Sequence, residues 1–241
     1  MHPMNGVKAV IQAGGKGTRL YPYSTVLPKA LMPIGDGTVA DRLIDMFVQG
    51  GVEDVYITLS KHNKISTLIE SYCGDGSRWG VRLHYVSEDT PLGTIGPLML
   101  MRADLDTTFM VTNSDVAVDM DVNEFLTFHR KSEALLTVAV AKQEVSIEYG
   151  VIDHENGKVF NFREKPTEQF CVSTGIYCME PRILDYVPEN QPFGFDGLIE
   201  TLLANKERVM VFDRTQNWID IGRIEDLRRA QENAAKMLYQ D

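Results

Sequence analysis

The chain has 241 residues, with 24 Lys and Arg against 34 Asp and Glu, a formal charge of −10. A hydrophobic fraction of 44% beside 24% charged residues excludes disorder and collagen-like order and supplies a sizeable core. No apolar run nears the ~18 residues of a membrane span, and an acidic surface repels phosphate backbones, so neither a membrane nor nucleic acid is an expected partner.

Residues 7–13 form a short, mostly apolar run that stops at Gly14-Gly15, the pattern of a buried strand feeding a loop. Residues 39–50 carry Leu43, Ile44, Met46, Phe47 and Val48 at helical spacing and end at Gly50-Gly51, a C-cap signal. Strands are then predicted at 55–59, 81–86 and 108–112, alternating with helices at 64–72, 96–102 and 123–131. That alternation implies a mainly parallel sheet covered by helices on both faces. Beyond residue 132 strands dominate, at 135–141, 149–153, 159–163 and 172–179, with a hairpin signal at Glu155-Asn156-Gly157-Lys158. Helical spacing returns at 181–186, 197–205 and 224–237. The expectation is one α/β domain over 1–241, with a nucleotide-side half (about 1–132) and an acceptor-side half (about 133–241).

The three cysteines, Cys73, Cys171 and Cys178, are odd in number and lack C-x-x-C spacing. They read as buried thiols in a reducing compartment. With no charged-then-apolar leader at the start, a cytoplasmic protein is expected.

Chemistry concentrates in a few segments. The loop Gly14-Gly15-Lys16-Gly17-Thr18-Arg19 lets backbone N–H groups approach phosphate oxygens, with Lys16 and Arg19 adding charge. It matches neither the P-loop nor the dinucleotide pattern, and a plain strand-to-helix turn is its alternative. Lys29 sits between Pro28 and, four residues on, Pro33; rigid backbone suits a phosphate-binding lysine, though a solvated loop lysine is the commoner case. Asp115 and Asp220 are read as lying at strand ends, and ligands gather at the carboxyl ends of parallel strands. Two such carboxylates suit Mg²⁺, which takes one or two carboxylates plus substrate phosphates and water; a turn or cap role is the alternative. Glu164-Lys165-Pro166 and Tyr149-Gly150 offer a carboxylate for sugar hydroxyls, a cation for a phosphate monoester and a close-approach backbone. His62, His84, His129 and His154 show no mutual spacing for a metal or a triad.

In order along the chain, Ala13-Gly14-Gly15-Lys16-Gly17-Thr18-Arg19-Leu20, Pro28-Lys29, Pro91-Leu92-Gly93-Thr94, Asn113-Ser114-Asp115, Tyr149-Gly150-Val151, Glu164-Lys165-Pro166, Ser173-Thr174-Gly175-Ile176-Tyr177 and Trp218-Ile219-Asp220-Ile221-Gly222 resemble the sugar-1-phosphate nucleotidyltransferase family. The resemblance implies a Rossmann-like fold with a mixed, mainly parallel sheet. The implied reaction joins a sugar 1-phosphate to a nucleoside triphosphate with Mg²⁺ and releases pyrophosphate. Carried over by motif, residues 13–19, Lys29, Gly93 and Thr94 would bind the nucleotide, and Asp115 and Asp220 would hold the metal. Lys165 would contact the sugar phosphate, with Tyr149, Gly150, Glu164, Ser173 and Thr174 near the sugar. Arg19, Lys29, Asp115, Lys165 and Asp220 would form the catalytic set.

Glu88-Asp89-Thr90-Pro91-Leu92-Gly93-Thr94 resembles the form of this segment in guanylyl-transferring members for mannose- or heptose-like sugars. A carboxylate accepts two N–H donors from one guanine edge, whereas an amide suits the mixed edge of thymine or uracil. GTP is therefore the expected donor, with UTP, dTTP or CTP as alternatives. A catalytically silent, nucleotide-sugar-binding relative is the alternative of a different class. The sequence departs from the family pattern at Gln12, Val39, Ser114 and Ser173-Thr174. Since it stops soon after the helix at 224–237, an appended left-handed β-helix domain is not expected. The expected partners are the two substrates, with a homodimer compatible with both.

Overall fold

The structure is a computed structural model, and it describes residues 6–238. The chain begins with β1 (Lys8–Gln12), followed by the short pair β2 (Pro33–Ile34) and β3 (Gly37–Thr38) and by α1 (Val39–Gln49). Next come β4 (Asp54–Ser60), α2 (Thr67–Cys73), β5 (Arg82–Glu88), β6 (Phe109–Asn113), β7 (Val116–Asp119) and α3 (Val122–Ser132). The remainder comprises β8 (Leu136–Ser146), β9 (Val151–Glu155), β10 (Lys158–Arg163), β11 (Thr167–Met179), α4 (Phe195–Ala204), β12 (Val209–Phe212), β13 (Gln216–Asp220) and α5 (Ile224–Leu238).

Seven strands form one sheet in the order β12-β8-β11-β6-β1-β4-β5. β1 runs parallel to both β4 and β6, β4 runs parallel to β5, and β12 runs parallel to β8. β11 is antiparallel to both of its neighbours, β6 and β8. The mixed, mainly parallel sheet expected from the sequence is thus present. A strand buried on both faces sends alternate side chains to opposite sides, and β1 shows this directly. Ala9 and Ile11 join one core with Leu43, Ile44 and Phe47 of α1 and Phe125 and Leu126 of α3. Val10 joins the other, with Leu98, Val111, Tyr177 and, from α4, Leu198 and Leu202.

Local signals explain the helix boundaries. The Thr38 hydroxyl accepts the Asp41 N–H at 3.2 Å while the Asp41 carboxylate accepts the Thr38 N–H at 2.7 Å, a capping box that starts α1. The segments at 96–101 and 181–186 are 3₁₀ turns rather than α-helices. Pro97 and Pro181 open them without a backbone donor. Asn156 and Gly157 both adopt positive φ, 50° and 80°, between β9 and β10, as a two-residue hairpin turn requires.

β8 and β11 extend well past the predicted 135–141 and 172–179 segments. Their outer halves pair with each other, Thr167 with Ser146 through Val172 with Ala141. Residues 142–146 are exposed throughout, so this arm carries no apolar alternation to announce it. One expectation needs correcting here: Cys73 and Cys178 are buried, but Cys171 is exposed on the arm. Burial pushes the Cys73 thiol up to about 11 and raises that of Cys178 as well, which makes both unreactive packing groups. His129 is also a packing group: it is fully enclosed, with its ring nitrogens 2.7 Å from the Thr137 hydroxyl and 3.1 Å from the Glu180 carboxylate. Among the described residues no helix is long and apolar enough to cross a membrane.

Candidate active site

The carboxyl ends of β1, β4, β5 and β6 open into a cleft of about 620 Å³, the position at which open α/β sheets collect ligands. Gly14, Gly15, Lys16, Arg19, Lys29, Glu88, Gly93, Thr94 and Asp115 all line it. These residues come from four separate stretches of sequence. Ala13 and Gly17, both buried, and Thr18, exposed, are not in the lining; the Ala13 N–H donates to the Thr58 carbonyl at 3.1 Å and fastens the start of the loop to β4. Thr58, Ser60, Pro97 and Asn113 line the cleft as well. Sequence reasoning passed over Thr58 and Ser60, though a polar residue near the end of a predicted parallel strand is the signal that marks them.

Gly17 is a backbone requirement. Its φ of 63° is left-handed, and a Cβ there would lie 2.9 Å from Cγ and 3.2 Å from Cε of Lys29. The lysine stem therefore passes over the loop where only glycine leaves room. Lys29 Nζ then donates to Asp115 Oδ2 at 2.6 Å, with both side chains largely enclosed.

Asp115 sits in the tight turn between β6 and β7, and β13 pairs antiparallel with β7, placing Asp220 opposite Val116. The Ile221 N–H donates to the Asp115 carbonyl at 2.7 Å, so two aspartates more than a hundred residues apart in sequence meet at one strand junction. Burial, then the negative charge of Asp115, raise the Asp220 carboxyl above its ordinary value, while Arg19 and Lys29 pull it down. Arg19 Nη2 and both Asp220 carboxylate oxygens flank the α-carbon of Gly222, each 3.1 Å from where a Cβ would stand. Two carboxylates and two cations are thereby packed together: Arg19, Lys29 and Asp115 line the cleft, and Asp220 stands beside them outside its lining. Among the described residues no group of three or more His, Cys, Asp or Glu side chains is arranged for a metal. The Asp115–Asp220 pair fits a hard divalent cation that completes its shell with phosphate oxygens and water.

At the other end Glu88 is buried, and its Oε2 accepts the Leu92 N–H at 3.0 Å. Its Oε1 lies 2.7 Å from where a Cβ on Gly14 would stand. One carboxylate oxygen thus braces the 91–94 loop and the other faces the glycine loop. The same loop is held from two further sides: Gln12 Nε2 donates to the Thr94 carbonyl, and the Phe195 N–H donates to the Thr94 hydroxyl at 3.1 Å.

The residues expected on the acceptor side do not line this cleft. Tyr149, Gly150, Glu164 and Lys165 lie at the ends of β9 and β10 and are exposed; Lys165 adopts φ 42°, a left-handed value unusual for lysine. Glu164 Oε2 and the Phe162 ring both crowd the α-carbon of Gly150, at 3.2 and 2.7 Å from where a Cβ would be built, so the Tyr149-Gly150 and Glu164-Lys165 motifs do meet. Ser173 is exposed, with its hydroxyl donating to the Tyr177 hydroxyl at 3.3 Å. Thr174 is buried; its hydroxyl is spent on the Ala139 carbonyl at 2.8 Å, and its own carbonyl accepts Trp218 Nε1–H at 3.0 Å. Thr174 thus ties β11 to β8 and to β13.

The chain is 33% identical over 227 residues to mannose-1-phosphate guanyltransferase of Yarrowia lipolytica, covering 91% of this chain and 62% of that protein. It is 32% identical over 240 residues to UTP–glucose-1-phosphate uridylyltransferase of Synechocystis, covering 91% and 61%. It therefore spans about three-fifths of the length of these relatives. The structure of HddC from Yersinia pseudotuberculosis complexed with GMP-PN superposes with a TM-score of 0.71 at 25% identity, covering 94% of this chain and 99% of the other. Residues 8–237 match the Nucleotidyl transferase family, and the chain belongs to that family.

Proposed function

We propose that the protein joins a sugar 1-phosphate to a nucleoside triphosphate, releasing pyrophosphate, with GTP as donor and Mg²⁺ as the divalent cation. The observation that carries this reading is the convergence of Asp115, Lys29 and Arg19 in the cleft lining with Asp220 held beside them at the junction of β7 and β13. The attacking group is already an anionic phosphate oxygen, so the site needs neither a side-chain nucleophile nor a strong base. The physical difficulty is bringing two polyanions together and stabilising charge on the α-phosphate and the departing pyrophosphate.

In this reading the backbone of residues 13–18 with Lys16 and Arg19 holds the triphosphate, and Lys29 reaches it across Gly17. Asp115 and Asp220 would hold the cation, which would supply Lewis-acid stabilisation of phosphate charge. Lys165 would take the sugar phosphate, with Tyr149, Gly150, Glu164 and Ser173 around the sugar. Residues 1–132 would then be the nucleotide half and 133–241 the sugar-phosphate half.

Guanine is supported by Glu88, a buried carboxylate at the far end of the cleft from the aspartates. Oε2 accepts from Leu92, and each carboxylate oxygen has a second lone pair, so the group can still accept N–H donors from a guanine edge. The test is a matrix of GTP, UTP, dTTP and CTP against mannose-, heptose- and glucose-type 1-phosphates with Mg²⁺, read by pyrophosphate release. GTP is expected to give the highest kcat/KM with a mannose- or heptose-type phosphate. Faster turnover with UTP or dTTP would overturn the base assignment.

A further inference from the structure

We propose that Lys29 is the resting counter-ion of Asp115, holding the carboxylate that the divalent cation must take, so that cation and nucleotide enter the site as a coupled pair. The proposal rests on the nucleotidyl-transfer reading above and adds an order of events at the same site. The ion pair is short, 2.6 Å, and its side chains are only 15% and 14% exposed. The lysine is also poorly free to leave by itself. Its stem is threaded past Gly17, and its backbone is fixed in a 3₁₀ turn entered through Pro28 and followed by the buried Ala30 and Leu31.

At this junction Asp115 and Asp220, with a weaker contribution from Asp226, face Lys29 and Arg19, which offset most of their charge. The resting site therefore offers a free divalent cation little net attraction. A cation on the Asp115 carboxylate would share it with an ammonium group, and like charges at such a separation in a partly enclosed site repel strongly. A triphosphate changes the balance, because its oxygens give Lys29 and Arg19 alternative acceptors and free the two carboxylates. Binding of the two ligands is then reciprocal: each raises the affinity of the site for the other.

The test is Mn²⁺ binding to the nucleotide-free full chain, followed by the electron paramagnetic resonance signal of free Mn²⁺. Lys29→Met is expected to bind Mn²⁺ about tenfold or more tightly than wild type, within the usual range of site coupling. Lys29→Arg keeps the charge and should restore the weak binding of wild type. Lys29→Met combined with Asp115→Asn should lose the gain. Lys29→Gln provides a second neutral side chain should the methionine variant fail to fold, as judged by its melting curve. Equal or weaker Mn²⁺ binding in the folded neutral variants would overturn the proposal. Absence of pyrophosphate release across the whole substrate matrix would instead overturn the reaction assignment, and leaves the Mn²⁺ comparison to be judged separately.

Discussion

Asp220 carries two opposing influences that can be measured separately. Burial and the neighbouring Asp115 raise its carboxyl from the ordinary 3.8, and Arg19 and Lys29 only partly compensate. For an acid with a raised folded-state value, the stabilising contribution belongs to the protonated form. It is complete below the unfolded-state value and is lost as pH rises through the folded-state value. At neutral pH the ionised carboxylate is therefore a cost, which fits the cation-holding role proposed for it. Asp220→Asn should melt above wild type at pH 7, and the gap should close as the pH is lowered through and below the raised value. A variant melting below wild type at pH 7 would contradict this balance. At this scale much of the site was readable in the sequence: Lys16, Arg19, Lys29, Glu88, Asp115 and Asp220 were picked from motifs, and the first five share the cleft lining. What the motifs could not show is which polar groups are already committed, such as Glu88 Oε2 to Leu92 and the Thr174 hydroxyl to Ala139.

At the scale of elements, the edge strand β12 shows how a short segment is held. Phe212 is 2% exposed and packs between the rings of Phe125 and Phe128 on α3, at centroid distances of 5.1 and 5.5 Å. These tilted and edge-on contacts add to the area buried. Phe212→Ala should cost about 3–5 kcal/mol in denaturant unfolding, as is usual for removal of an enclosed aromatic ring; a loss below about 1 kcal/mol would mean that α3 closes over the gap. β12 has only four residues, too few for a periodic signal to separate from its surroundings. β7, also of four residues, escaped the sequence reading for the same reason, whereas Asp220 was read at the end of a strand and closes β13. The helices with long apolar stripes and explicit caps, α1 and α3, fell where the spacing placed them. Tertiary pairing, absent from any local window, decided the rest: β13 exists as a strand because β7 offers it an edge.

For the whole molecule, the order of the sheet accounts for the site. β1 lies between β4 and β6, so the loops after β1, β4, β5 and β6 open at one end and present backbone donors, a glutamate and an aspartate to a single cleft. The later chain returns through β11 into the middle of the same sheet and then through β13 to the edge of β7, which delivers Asp220 to Asp115. The alternation of strands and helices made the first half of this plan legible. The return of β11 antiparallel between β6 and β8 was not legible, because strand direction within a sheet leaves no mark on apolar spacing. The exposed arm of β8 and β11, with β9 and β10 beyond it, carries the remaining acceptor-side motifs outside the cleft lining. The central claim is that Asp115 and Asp220 jointly hold a divalent cation against reacting phosphates. It is tested most directly by the initial rate of pyrophosphate release from GTP and a mannose- or heptose-type 1-phosphate with Mg²⁺, in wild type, Asp115→Asn and Asp220→Asn. Each substitution should lower kcat/KM by about a hundredfold or more, the usual effect of removing one preorganised charge-stabilising group, while the folded state persists. Near wild-type rates in both folded variants would contradict the account.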